Sequence, residues 1–108
     1  MQLPGEFARV RNTGQRLACG CLILNWAPAH STATRLGVVT SRKLGNAVKR
    51  SRARRLMREC FRRHQGELRQ PVHLVLVARN SISGRDFAAV EVDYLKALQR
   101  AGLLEASA

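Results

Sequence analysis

Acid is scarce in this chain of 108 residues: seven Asp and Glu stand against nineteen Lys and Arg. Only two of the seven, Glu6 and Glu59, fall within residues 1–66. A nuclease that works through protein-bound metal ions needs clustered carboxylates, so this chain alone does not read as a catalyst. No run of about 18 apolar residues occurs, and no membrane span is expected. The opening MQLPGEFARVRNTG has no apolar signal core. Cysteine is limited to Cys19, Cys21 and Cys60, an odd number. With no secretion signal, a reduced, cytoplasmic compartment is the simplest reading. Cys19-Gly20-Cys21 on a strand would point both thiols to one face, but a metal site wants about four ligands. These cysteines read instead as buried small apolar residues. His30, His64 and His73 pair with no Ser, Cys or Asp at a recognisable spacing, and read as incidental.

What the chain has is positive charge, and it is unevenly placed. Residues 1–66 hold fourteen Lys and Arg, whereas residues 67–108 hold five basic and five acidic residues. The whole net charge of +12 therefore sits in the first two thirds. Such asymmetry points to a polyanionic partner, nucleic acid or an anionic membrane surface.

The periodicities give one α+β domain over residues 1–108. Residues 4–12 make a short helix with Phe7 and Val10 at i, i+3. Residues 16–27 read as one strand with two apolar faces, residues 28–34 as a loop, and residues 35–41 as a second strand. Leu44-Gly45-Asn46 is a turn whose Asn46 can cap a helix. In that helix Ala53, Leu56, Met57, Cys60 and Phe61 follow the i, i+3, i+4, i+7, i+8 rule and form one stripe. Arg52, Arg54, Arg55, Arg58 and Arg62 fan over the rest of its circumference. A loop over residues 66–71 leads to a strong strand at 72–79, and a turn at Ser81–Gly84 leads to a last helix at about 86–101. Phe87, Val90, Tyr94, Leu95 and Leu98 form its apolar face, with Glu91 and Lys96 at solvent positions. The order is helix, strands, basic helix, strand, helix.

The basic helix decides the partner. Lys49 to Arg63 holds eight Lys or Arg and one acid, Glu59. Solvated helix faces normally mix signs at i, i+4, whereas here Glu59 can relieve only one or two neighbours. Arginine grips phosphate oxygens in pairs through its planar fork, and the N-terminal end of the helix adds unpaired N–H groups. Membrane helices need bulky apolar residues free to enter lipid, whereas this stripe is spent on the sheet. No second helix lies a short turn away, so a helix-turn-helix fails and no DNA partner is expected. The five aromatics form no ribonucleoprotein-type sheet motif. A folded RNA, read by shape and phosphate contacts, fits best. A structural rRNA-binding ribosomal protein is the alternative that composition leaves open.

The stretch RLGVVTSRKLGNAVKRSRARRLMRE, Arg35 to Glu59, resembles the protein subunit of bacterial ribonuclease P. The matching elements are Gly37 in the strand, the basic pair Arg42-Lys43, Gly45-Asn46-Ala47-Val48, then Arg50-Ser51-Arg52, Arg54-Arg55 and Arg58-Glu59. Ser51 stands where the family has asparagine. Phe7, Val10 and Gly14 match the family's N-terminal pattern. The resemblance implies a single-domain α/β sandwich, ribosomal protein S5 domain 2-like, with a left-handed crossover through the basic helix. It also implies a division of labour. The catalytic RNA subunit, using Mg²⁺ held mainly by RNA, would remove the 5′ leader of precursor tRNA. The protein would bind that RNA through Arg42, Lys43, Asn46, Lys49, Arg50, Ser51, Arg52, Arg54, Arg55, Arg58 and Arg62. The leader would lie in a cleft lined by Phe7, Val10 and Arg11, where an aromatic ring suits an unpaired base.

Overall fold

The structure, a computed structural model, describes residues 14–28 and 34–104. The expected helix over residues 4–12 lies outside them. The strands are β1 (Gln15–Cys19), β2 (Leu22–Pro28), β3 (Arg35–Val39) and β4 (Val72–Ala78). The helices are α1 (Ala47–His64) and α2 (Phe87–Ala101), with single 3₁₀ turns at Arg42–Leu44, Gln65–Glu67 and Asn80–Ile82. The sheet order is β1-β2-β4-β3. β2 runs antiparallel to both β1 and β4, while β3 and β4 are parallel and are joined through α1. This mixed sheet with its helices is the α+β architecture expected.

Strand alternation sorts the side chains into two layers. Leu22, Leu24 and Trp26 of β2 and Leu74 and Leu76 of β4 share one core with Ala53, Met57 and Cys60 of α1 and Val90, Tyr94 and Leu98 of α2. On the opposite face Ala27 and Val75 form a smaller cluster with Val39 and Val77. β2 and β4 are thus buried on both faces at the centre of the sheet, which is why their sequences read as nearly continuous apolar runs.

One expectation is corrected here. Residues 16–27 are not one strand but the hairpin of β1 and β2, with Cys19 paired to Leu22 across a two-residue loop. Gly20 takes φ 58, the left-handed conformation that a tight hairpin loop needs and a Cβ resists. The Cys21 N–H donates to Asp93 Oδ2 of α2 at 3.0 Å, so the loop is pinned to the helix layer. Cys19 and Cys21 therefore do not share one strand face. Both are buried, as is Cys60, and burial pushes the Cys21 and Cys60 thiols up to about 12. All three pack as small apolar residues, as the sequence indicates.

The helix boundaries follow from local chemistry. Asn46, in an extended conformation, accepts the Lys49 N–H on Oδ1 at 3.0 Å and caps α1. Asp86 does the same for α2 through the Ala89 N–H at 2.9 Å. Gly102, at φ 74, ends α2 in the left-handed conformation.

Two further readings change. His64 is not incidental: its Nδ1 meets Glu67 at 2.6 Å and its Nε2 meets Glu91 of α2 at 2.7 Å. Glu91 is consequently a half-buried partner rather than a solvent position. The His64 side chain is 16% exposed, and it clasps the C-terminal end of α1 to α2.

Candidate RNA interface

The interface is built on α1 because its two sides have opposite uses. Ala53, Met57 and Cys60 are buried against the sheet. Leu56 and Phe61, at the margins of the stripe, are half-buried against the same core. The other positions are almost all cations.

The structure brings the eleven RNA-binding candidates together on α1 and the turn before it, but in different states. Arg42 and Lys43 are exposed on the single turn that precedes Gly45. Lys49, Arg55 and Arg58 are exposed and Arg50 half-buried. None of these six has a side-chain hydrogen bond or ion pair among the described residues. Asn46 is occupied as the cap. The other four are engaged by the fold. Arg52 donates through Nη2 to the Arg85 carbonyl at 2.6 Å. Arg54 donates to Thr40 Oγ1 at 2.8 Å and to Ser51 Oγ at 3.3 Å. Arg62 holds both oxygens of Glu59, at 3.0 and 2.5 Å. Phe7, Val10 and Arg11, the expected leader cleft, lie outside the described residues.

Glu59 also accepts from Arg63 Nε at 2.8 Å. These bonds from Arg62 and Arg63 hold its carboxyl down at about 2. The lone acid of the helix thus serves two cations at its C-terminal end, where positive charge also suits the helix dipole. Arg63 lies 4.7 Å above the Phe87 ring of α2, a cation–π contact. Sequence reasoning passed over Arg63, although its i, i+4 spacing from Glu59 is a signal that finds it. It also missed Arg85 and Asp93. Arg85 bonds Asp93 at 3.4 Å, joining the Arg52 contact to the hairpin loop. Nothing local in the sequence announces that link.

Two grooves flank α1. One, of about 370 Å³, lies between Lys49, Arg52 and Ala53 and the Ile82–Gly84 turn. The other, of about 410 Å³, lies between the C-terminal half of α1 and β3. Among the described residues no group of three or more His, Cys, Asp or Glu is placed to hold a metal ion. Nor is any helix of the described residues long and apolar enough to cross a membrane.

A helix with a single acid among its many cations, laid on a mixed sheet, points to a nucleic-acid-binding α+β protein. Comparison with known proteins makes this specific. The sequence model of the family described as Ribonuclease P matches residues 1–102. The ribonuclease P protein component of Roseiflexus sp. (strain RS-1) is 36% identical over 108 residues, covering 99% of this chain and 88% of that protein. That of Syntrophomonas wolfei is 34% identical over 103 residues, covering 95% and 87%. The solved ribonuclease P protein of Thermotoga maritima superposes with a TM-score of 0.83 at 28% identity, covering 93% of this chain and 94% of that one. The Staphylococcus aureus protein, at 23% identity, shares the fold with a TM-score of 0.87 over 97% of this chain and 96% of its own. The chain belongs to the ribonuclease P protein component family, RNA-binding proteins of tRNA processing.

Proposed function

We propose that this chain is the protein subunit of a ribonuclease P ribonucleoprotein, which removes the 5′ leader of precursor tRNA to give the mature 5′ end. The observation that carries the reading is the set of six cations on α1 and its approach that the fold leaves without an acceptor among the described residues. Phosphates of the catalytic RNA supply those acceptors. Family membership favours this RNA over the rRNA of the ribosome. The single-stranded leader is held at Phe7, Val10 and Arg11, by a ring that stacks on bases without regard to their identity.

Hydrolysis belongs to the RNA subunit, with Mg²⁺ held mainly by RNA phosphates. The described donor set of this chain does not suit such an ion, and no step is assigned to it. Three buried, unpaired cysteines accord with a reducing cytoplasm as the place of work.

The test is reconstitution with the cognate RNA. Precursor tRNA is incubated in Mg²⁺ with RNA alone, protein alone and both. Cleavage at the mature 5′ end should need the RNA and be enhanced by the protein. Cleavage by RNA-free protein that survives nuclease treatment, or no effect of the protein at any salt, would overturn the reading.

A further inference from the structure

The groove between β3 and α1 differs from the rest of the cationic surface in having an apolar floor. Its lining is Thr34, Arg35, Leu36, Arg58, Phe61 and Arg62. β3 is an edge strand, and among the described residues no strand lies beyond it to cover the outer margin of the α1 stripe. Met57 and Cys60 face the centre of the sheet and are fully buried, whereas Phe61, at the margin, remains half-exposed. Leu36 is half-exposed for the same reason. The result is an aromatic ring and a leucine at the bottom of an open groove whose described lining includes three arginines and no acid. Its volume of about 410 Å³ falls in the range of small-molecule sites, roughly 300–1,000 Å³.

We propose that this groove receives one unstacked nucleobase of the bound RNA, with Phe61 and Leu36 against the base and Arg58 on its phosphate. The proposal rests on the RNA-binding reading above and adds to it a site for a single-stranded nucleotide on the helix face of the sheet. Three observations select this occupant. The floor is apolar and aromatic, and every base offers it a π-face. The lining carries charge of one sign, complementary to a phosphate. Arg58 has no hydrogen-bond or ion-pair partner among the described residues, while Arg62 is held in place by the Glu59 carboxylate. A base paired within a duplex cannot enter, so the groove selects a loop, bulge or end.

The test uses the full chain and two probes: a single-stranded RNA decamer, and a decamer of the same backbone lacking bases. Wild-type protein should bind the base-bearing decamer more tightly. Phe61→Leu keeps an apolar side chain on the core and removes the ring. It should weaken binding of the base-bearing decamer by roughly 5- to 150-fold, the worth of one base stack, and leave the abasic decamer unchanged, while the protein still unfolds cooperatively with a midpoint lowered only by the lost ring packing. Arg58→Gln should weaken both decamers alike. Equal affinities of wild type and Phe61→Leu for the base-bearing decamer would overturn the proposal and leave Phe61 a packing residue. So would a concentration-dependent dimer that Phe61→Leu dissolves, since a second copy would then fill the groove. Assembly with the cognate ribonuclease P RNA is measured alongside. If it persists while Phe61→Leu has no effect, the groove fails alone; if it is absent, the RNA-binding reading fails with it.

Discussion

The distinction between engaged and unengaged arginines on α1 makes a quantitative prediction about salt. Arg55 and Arg58 are exposed, and neither has a side-chain partner among the described residues. Replacing both with Gln should leave the fold intact and relieve repulsion along the helix. If each of the six unengaged cations neutralises one phosphate, log K should fall with log[salt] at a slope of about −5.4, taking the duplex value of about −0.9 per phosphate. A fourfold rise in salt, from about 50 to 200 mM, should then cost wild type roughly 10³ in affinity for the RNA subunit. The Arg55→Gln/Arg58→Gln variant, with four phosphates left, should show a slope of about −3.6 and lose only about 10². Filter binding or fluorescence anisotropy across the salt series measures both lines. Arg62→Gln is the internal comparison. Its guanidinium is already shared with Glu59, so its effect on the slope should be smaller than that of either unengaged arginine. Parallel lines for wild type and the double variant would refute the assignment of these two side chains to RNA.

Two other consequences concern the free protein. Glu91 and Glu67 hold the His64 pKa above its ordinary 6.5, so the stabilisation is full below about pH 6.5 and is lost as pH rises through the raised folded value. The stability gap between wild type and His64→Asn, from urea unfolding, should therefore shrink as pH rises from about 6.5 through the raised folded value, and a constant gap would remove the clasp from the account. Gly20 sits at φ 58, and a Cβ there would overlap the Asp93 carboxylate that accepts the Cys21 N–H. Gly20→Ala should cost about 2–5 kcal/mol, from the left-handed backbone and the lost hydrogen bond together. Gly84, at φ 80 with open space around its missing Cβ, should show only the backbone cost of about 1–2 kcal/mol. Equal losses at the two positions would mean that the Asp93 contact contributes nothing.

The sequence disclosed what depends on periodicity and missed what depends on distant partners. The α1 stripe was readable because a turn of 3.6 residues places Ala53, Met57 and Cys60 on one side whatever they pack against. The Asn46 and Asp86 caps are local as well. The hairpin was not readable, because its two-residue loop carries only one glycine, Gly20, inside an apolar run. Cys21, the second loop residue, carries none of the usual turn chemistry and draws its hydrogen bond from Asp93, which is 72 residues away. The candidate site shows the same division. The charge run on α1 was legible, since it is a property of the sequence, although Arg63 within it was passed over and Arg85 outside it was missed. Which of its cations the fold consumes was not: the acceptors for Arg52 and Arg54 are the Arg85 carbonyl and Thr40, brought in by the 80–85 turn and the end of β3. Arg52 therefore does not belong with Arg55 and Arg58 as a side chain that can be removed at no cost to the fold.

The same division explains how α1 withstands its own charge. Near its C-terminal end Arg62 and Arg63 share Glu59, Arg63 covers Phe87, and His64 lies between two glutamates. The helix dipole also favours cations there. Among the described residues nothing comparable exists at the other end. The first turn has no acid, and Lys49 and Arg50 follow the cap at the positive pole of the dipole. Val48, in that same turn, is 76% exposed, so the segment draws little from the core either. Uncompensated positive potential therefore increases from the C-terminal to the N-terminal end of α1, continuing into Arg42 and Lys43. On the proposed RNA-binding reading, a phosphate gains most where no carboxylate already competes for the cation, so substitutions at the Arg42–Arg50 end should weaken RNA binding more than Arg62→Gln or Arg63→Gln, measured by anisotropy at fixed salt. The buried side chains Ala53, Met57 and Cys60 then hold the helix in place while its most charged end waits for a partner.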